Sequence, residues 1–193
     1  HGVKVHLCAT LFSGHTAFFS NPDALQQLII NLIGLVEQRG ADGINIDFEA
    51  LPGTVGDELT AFMISLSEQF HAALPGSKVS IDLPAVNWGG VFDIMALREY
   101  VDYFFVMGYD YYWNNSGTAG PVAPLYTMTA SYDYSLCRSV SEYQAQGMPA
   151  EKFILGLPYY ARLWKTTSGN IPSSTIGSGT AYTYAYIMNN QVG

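Results

Sequence analysis

The chain has 193 residues, 49% of them apolar, which is enough for one sizeable core and one domain or two. Its net charge of −8, with only eight Lys and Arg scattered along it, excludes a nucleic-acid partner, because phosphate binding needs clustered basic side chains. No apolar run approaches transmembrane length, so no membrane partner is expected, and two distant cysteines with four histidines at no ligand spacing leave no metal or other cofactor to expect.

The opening "HGVKVHLCAT" lacks the charged start and long apolar stretch of a secretory leader. It runs almost directly into a predicted strand, Val3–Thr10, as expected of a piece cut from a longer protein. Asn21 then offers an N-cap and Pro22 a first helical position, and a helix with period 3.6 follows until Gly40 stops it. "DGINIDFE" reads as a strand, Asp57–Leu74 as an amphipathic helix, and "KVSIDLP" as the next strand. Asp93–Glu99 predicts a short helix, Tyr103–Tyr109 a strand, and Ser131–Gln146 a helix. "KFILGLP" is the last clear strand. From Thr166 the chain is rich in Ser, Thr and Gly, and "AYTYAYIMNN" fits a helix or a strand. We expect one catalytic-type domain over 1–193, with 166–193 an insertion or a following helix.

Strand then helix, five times over, predicts parallel strands with right-handed crossovers. That is either a doubly wound sheet or a (β/α)8 barrel. Neither GxGxxG nor GxxxxGK[ST] follows any strand, which disfavours a nucleotide-binding sheet. The strands end instead in "DFE", "DLPAVNW", "GYDYYW" and "LPYYARLW", polar and aromatic, as at the catalytic mouth of a barrel. The expected fold is therefore α/β, of the (β/α)8 TIM-barrel type. It is expected to be incomplete, with about five of eight strands in a chain shorter than the usual ~250 residues.

Alternation in "GINIDFE" turns Ile44, Ile46 and Phe48 toward the helices and Asn45, Asp47 and Glu49 toward the barrel interior. Asp47 and Glu49 are then about 6.6 Å apart at Cα. Two carboxylates that close can share a proton, and a protonated Glu49 at a strand end is a ready general acid for glycoside hydrolysis. A structural hydrogen-bond network or a site for a hard cation would use the same residues.

Three ordered motifs carry a resemblance. "DGINIDFE" resembles the DGxDxDxE signature of glycoside hydrolase family 18, the chitinase family; "FFVMGYDYYW" resembles its Met-x-Tyr-Asp strand, and "GLPYYARLW" its following Gly-hydrophobic-Pro-aromatic-Tyr-small-Arg strand. The motifs span Asp42 to Trp164, and the alignment makes the five strands the third to seventh of the barrel. The resemblance implies a retaining, substrate-assisted glycosidase in which the sugar's own N-acetyl oxygen attacks the anomeric carbon. Glu49 matches the general acid and base, Asp47 the residue orienting the acetamido group, and Tyr109 the hydroxyl on its carbonyl. Asn45, Met107, Asp110, Tyr160, Arg162 and Trp113 match or neighbour substrate-contacting positions. Met107 also fits plain core, and Arg162 a simple partner for a carboxylate. Tyr111, Tyr112, Trp113 and Trp88 are either platforms for sugar rings or ordinary loop packing.

The sequence departs from the family pattern at a few points. Ser-x-Gly-Gly is absent from the first strand, and no Trp follows Trp164, where the family's last strand places its floor. Phe48 replaces a frequent Trp and should pack outward. Asn45 replaces the first inner Asp, so Asp47 is expected to titrate nearer its ordinary value. DGxNxDxE also resembles a branch acting on bacterial cell walls and spore cortex. The implied partner is an N-acetylglucosamine polysaccharide, chitin or, alternatively, peptidoglycan, met outside the cell or in its envelope. An N-glycan or a non-catalytic chitin-binding role is the more distant expectation, and a homodimer through open barrel edges is a further one.

Overall fold

The computed structural model describes residues 2–190; His1 and the last three residues of the 166–193 segment lie outside the described residues. Two compact units emerge. The first comprises His1–Val106 with Tyr143–Ile154, the second Met107–Glu142 with Leu155–Gly193.

The first unit is built on parallel strands β1 (His6–Leu11), β2 (Gly43–Phe48), β3 (Lys78–Leu83) and β4 (Tyr103–Met107). A fifth strand, β6 (Phe153–Gly156), completes the sheet order β1-β2-β3-β4-β6. Helices α1 (His15–Phe19), α2 (Pro22–Arg39), α3 (Gly56–Ala73) and α4 (Ile94–Leu97) connect the strands. This is the α/β sheet of an incomplete TIM-type barrel.

Local chemistry sets these boundaries. The Asn21 side chain accepts from the Ala24 amide at 3.1 Å, Pro22 needs no N–H at the first turn, and Gly40 ends α2 at φ 61°. Along β2, Ile44, Ile46 and Phe48 are buried while Asn45 and Asp47 are half-buried on the other face. The outward face joins a cluster of Phe18, Phe19, Phe48 and Phe62, in which the Phe48 and Phe62 rings stack at 5.9 Å. Gly43 is glycine for want of space, since a Cβ there would meet the Lys78 carbonyl oxygen.

At the amino-terminal end of the strands, Asp102 gathers three donors. It accepts from Lys78 Nζ at 2.7 Å and the Val79 amide at 2.9 Å, and His71 Nε2 lies at 2.9 Å. Burial pushes its carboxyl up, but these hydrogen bonds outweigh that and hold it below the usual range.

The predicted strand Val3–Thr10 is in fact His6–Leu11. Val3 and Val5 are exposed, and the register starts where His6 meets Gly43. The predicted helix Ser131–Gln146 shortens to α5 (Leu136–Ala145), because Thr129 and Tyr132 close a tight turn before it. The short helix and the β4 strand likewise end a residue or two earlier than predicted.

The second unit holds an antiparallel sheet, which the expected alternation of strand and helix does not contain. It consists of β5 (Thr118–Ala119), β7 (Tyr160–Thr166) and β8 (Ser173–Thr183), in the order β5-β8-β7. "AYTYAYIMNN" supplies both a strand end and a helix, α6 (Tyr184–Asn190).

Candidate active site

Glu49 follows directly on β2, and its amide donates to the Leu11 carbonyl at 3.0 Å. The next residue, Ala50, takes φ 54°, a left-handed conformation that costs a residue with a Cβ about 1–2 kcal/mol. The chain thus turns sharply just after the predicted acid, and such local strain clusters at functional sites.

On the same strand face lies a polar row. Cys8 and Ser80 flank Asn45 in register. Ser80 Oγ donates to Asn45 Oδ1 at 2.7 Å, and Asn45 Nδ2 donates to Asp82 Oδ2 at 3.0 Å and reaches Cys8 Sγ at 3.7 Å. A cavity of about 240 Å3 beside the row is lined by His6, Asn45, Ser80, Asp82, Tyr103, Phe105 and Ile154. A larger one of about 740 Å3 lies between the loops that start α3 and α4 and touches none of the predicted site residues.

Asp82 was not among the predicted residues. Burial pushes its carboxyl up to about 6; the Asn45 hydrogen bond opposes this, and the charges of Asp47 and Glu49 add to it. The signal was there, since Ser80 and Asp82 alternate in "VSIDLP" as Asn45 and Asp47 do in "GINIDF". Asp47 corrects another expectation. Its carboxyl is raised, with burial as the cause, instead of sitting near its ordinary value. Replacing an inner Asp by Asn45 removes one charge but leaves Asp47 Oδ1 buried with no hydrogen-bond partner.

The shift on Asp82 has a stability consequence with a definite sign. The unfolded chain ionises this group near 3.8, the folded chain near 6. Below 3.8 both states hold the proton. Between the two values the unfolded state releases it first, so stability falls as pH rises, and above about 6 the full cost persists. The shift sets a ceiling of about 3 kcal/mol, and half-burial reduces the expected effect to roughly 1–2 kcal/mol. Asp82→Asn keeps an acceptor for Asn45 and removes the charge. We expect it to be the more stable protein above pH 6 by that amount, with a flatter profile between pH 4.5 and 7. Urea unfolding across that range checks this, and a variant less stable than wild type at pH 7.5 contradicts it.

The remaining predicted residues lie in the second unit. Met107, half-buried, ends β4, and Tyr109 packs edge-on to Tyr160 with ring centroids 6.2 Å apart. Asp110, at φ 57°, accepts from Tyr160 Oη at 2.8 Å and from Arg162 Nε and Nη2 at 3.0 and 2.9 Å, with a further Nη2 contact to Oδ2 at 2.8 Å. Tyr160, Arg162 and Asp110 therefore satisfy one another here. Burial and the Asp110 hydrogen bond both raise the Tyr160 phenol, so it stays protonated. Tyr111 and Tyr112 are buried packing, not open platforms, while Trp113 and Trp88 are 48% and 60% exposed. Both cysteines are free, and among the described residues no His, Cys, Asp and Glu group is arranged to hold a metal ion.

Comparison with known proteins identifies what the chain is similar to. The family described as "Glycosyl hydrolases family 18" matches residues 9–191. "Putative sporulation-specific glycosylase YdhD" of Bacillus subtilis (strain 168) is 30% identical over 151 residues, covering 75% of this chain and 33% of the relative. Endochitinase 1 of Metarhizium robertsii is 27% identical over 166 residues, 77% of this chain and 38% of the relative. A glycoside hydrolase family 18 N-acetylglucosaminidase from Paenibacillus barengoltzii shares the fold, with a TM-score of 0.80 at 19% identity over 95% of this chain and 61% of that one. The chain spans 33% and 38% of the length of these two curated relatives.

Proposed function

The chain belongs to glycosyl hydrolases family 18, and on that premise we propose that it carries the acid–base half of a glycosidase acting on β-1,4-linked N-acetylglucosamine polymers, chitin or chitooligosaccharides. The observation that carries this is the position of Glu49, one residue past the end of β2, beyond Asp47 on the polar strand face.

The reaction is retaining and assisted by the substrate. Glu49 protonates the leaving glycosidic oxygen as the acetamido oxygen closes on the anomeric carbon. It then takes a proton from the water that reopens the ring. Asp47 orients the acetamido N–H and offsets the positive charge that grows on it. A buried carboxylate oxygen lacking a partner, as Asp47 Oδ1 is, supports that role, because an N–H donor would complete it. Asn45 holds Asp82 in place beneath the pair. Tyr109 supplies the hydroxyl for the acetamido carbonyl, and Met107, Asp110, Tyr160, Arg162 and Trp113 the sugar contacts, on the strength of their motifs. Because such polymers lie outside the cell, the reading places the protein there or in the envelope. The reading covers 1–193 as part of one catalytic domain.

A second reading has its own support. Asn45 in the signature, and 30% identity to a protein named as a sporulation-specific glycosylase, favour peptidoglycan as the polymer. The two readings separate by mass spectrometry of products from chitopentaose and from purified peptidoglycan. Shorter chitooligosaccharides support the first, and muropeptides with intact chitopentaose the second. Intact substrates in both digests, with saturable chitopentaose binding, would leave only a chitin-binding relative.

A further inference from the structure

We propose that Asp82 is a positioning residue of the acid–base site: held by Asn45, it joins Asp47 and Glu49 in one proton-sharing group and supplies from β3 the carboxyl that β2 lacks at position 45. The proposal rests on the glycosidase reading for its reaction, but on strand geometry for the group itself.

The register places the residue. β2 and β3 run parallel with Asn45 against Ser80 and Ile46 against Ile81, so one further step sets Asp47 beside Asp82. Neighbouring strands lie about 4.8 Å apart, which brings the two acids to one level of the sheet. Asp82 shares the cavity of about 240 Å3 with Asn45 and Ser80, so it stands on the polar face of β2.

Asn45 fixes its direction. Ser80 Oγ donates to Asn45 Oδ1 at 2.7 Å, which leaves the amide one orientation, with Nδ2 turned to Asp82 Oδ2 at 3.0 Å. The same bond accounts for Asn45, which stands where the DGxDxDxE signature has its first inner Asp. Carboxylates at both 45 and 82 would put two like charges in hydrogen-bond contact, so with Asp82 present position 45 needs a neutral donor. The carboxyl has moved one strand over.

The surroundings offer Asp82 a proton and no strong counter-ion. β1 presents His6 and Cys8, β2 presents Asn45 and Asp47 with Glu49 just beyond, and β4 presents Tyr103 and Phe105. Among the described residues no Lys or Arg lines the cavity. The charges of Asp47 and Glu49 act on Asp82, and the same repulsion acts in reverse. In such a group the last proton is the hardest to remove, so an acid stays protonated to higher pH than it would alone. Asn at 82 would still accept from Asn45 and would avoid the stability cost derived above, so an acid here serves the chemistry at the expense of the fold.

The test follows the side-chain carboxyl carbon resonances of Asp82 and Asp47 by NMR from about pH 4 to 8 and needs no turnover. In the wild-type chain Asp82 is expected to titrate near 6, with an inflection on Asp47 at the same pH. Asp47→Asn and Glu49→Gln should each lower the Asp82 midpoint by about one pH unit, because a like charge is gone. An Asp82 midpoint that stays fixed in both variants overturns the proposal and leaves a solitary structural acid. On a chitooligosaccharide, Asp82→Asn should move the alkaline limb of kcat/KM down by about one pH unit. Exchanging the two side chains, Asn45→Asp with Asp82→Asn, should restore the limb, since the group regains its carboxyl and the Asn45–Asp82 bond keeps a donor. A limb unmoved by Asp82→Asn also overturns the proposal. Coupled titration in a chain with no turnover removes the glycosidase reading and leaves the proton-sharing group.

Discussion

Glu49→Gln is expected to lower kcat on a cleavable N-acetylglucosamine oligomer by about 10²–10⁴-fold, the usual contribution of a positioned general acid and base. Gln keeps the shape and the hydrogen-bonding reach but cannot give up a proton. The Glu49 amide bond to Leu11 involves only backbone, so the turn after β2 should survive. The Tm is therefore expected to stay within a few degrees of wild type. The experiment needs both readouts. Lost turnover with an unchanged Tm assigns the proton transfer to Glu49, whereas undiminished turnover would sink the assignment. Lost turnover together with a collapsed Tm is resolved by Glu49→Asp, which keeps the acid one carbon short and should recover part of kcat if chemistry is the cause.

The second large effect is on stability. Asp110→Ala is expected to cost about 3 kcal/mol, since it leaves the Arg162 guanidinium, only 14% exposed, and the Tyr160 hydroxyl without their acceptor. It also places Ala at φ 57°, where a short polar side chain is better tolerated. Asp110→Asn retains one acceptor oxygen and the left-handed preference, so its cost should be about 1 kcal/mol. Chemical denaturation of the two variants orders them. Equal losses would mean that the cluster contributes little and that the positive φ alone sets the cost.

Much of this was legible in the residues. Asn21, Pro22 and Gly40 marked α2 at both ends because caps are local chemistry. The placing of Asn45 and Asp47 on the face opposite Ile44, Ile46 and Phe48 followed from a period of two. Asp82 was harder, because its importance depends on β3 lying beside β2 in the register that sets Ser80 against Asn45. The antiparallel pairing of β7 with β8 was not legible, although "GLPYYARLW" and "AYTYAYIMNN" touch the two strands. "SSTIGSGTAYT" has too few apolar residues to show a period, and its strand is held by backbone bonds to a partner that composition does not reveal. The Asp110–Arg162 pair joins residues 52 apart, and only folding brings them within reach. The reading of Tyr111 and Tyr112 as possible platforms failed for the same reason, since their burial is decided by residues far along the chain.

Asp102, with Lys78, Val79 and His71, ties β3, β4 and α3 together at the end of the sheet away from Glu49. A sheet fastened at one end separates two kinds of inheritance. Changes near Asp102 are judged by whether the protein still folds, and changes in the loops beyond the other end by what they let it grip. Substitutions around Asp102 are therefore expected to cost stability, and substitutions in the loops beyond the other end to leave it largely unchanged.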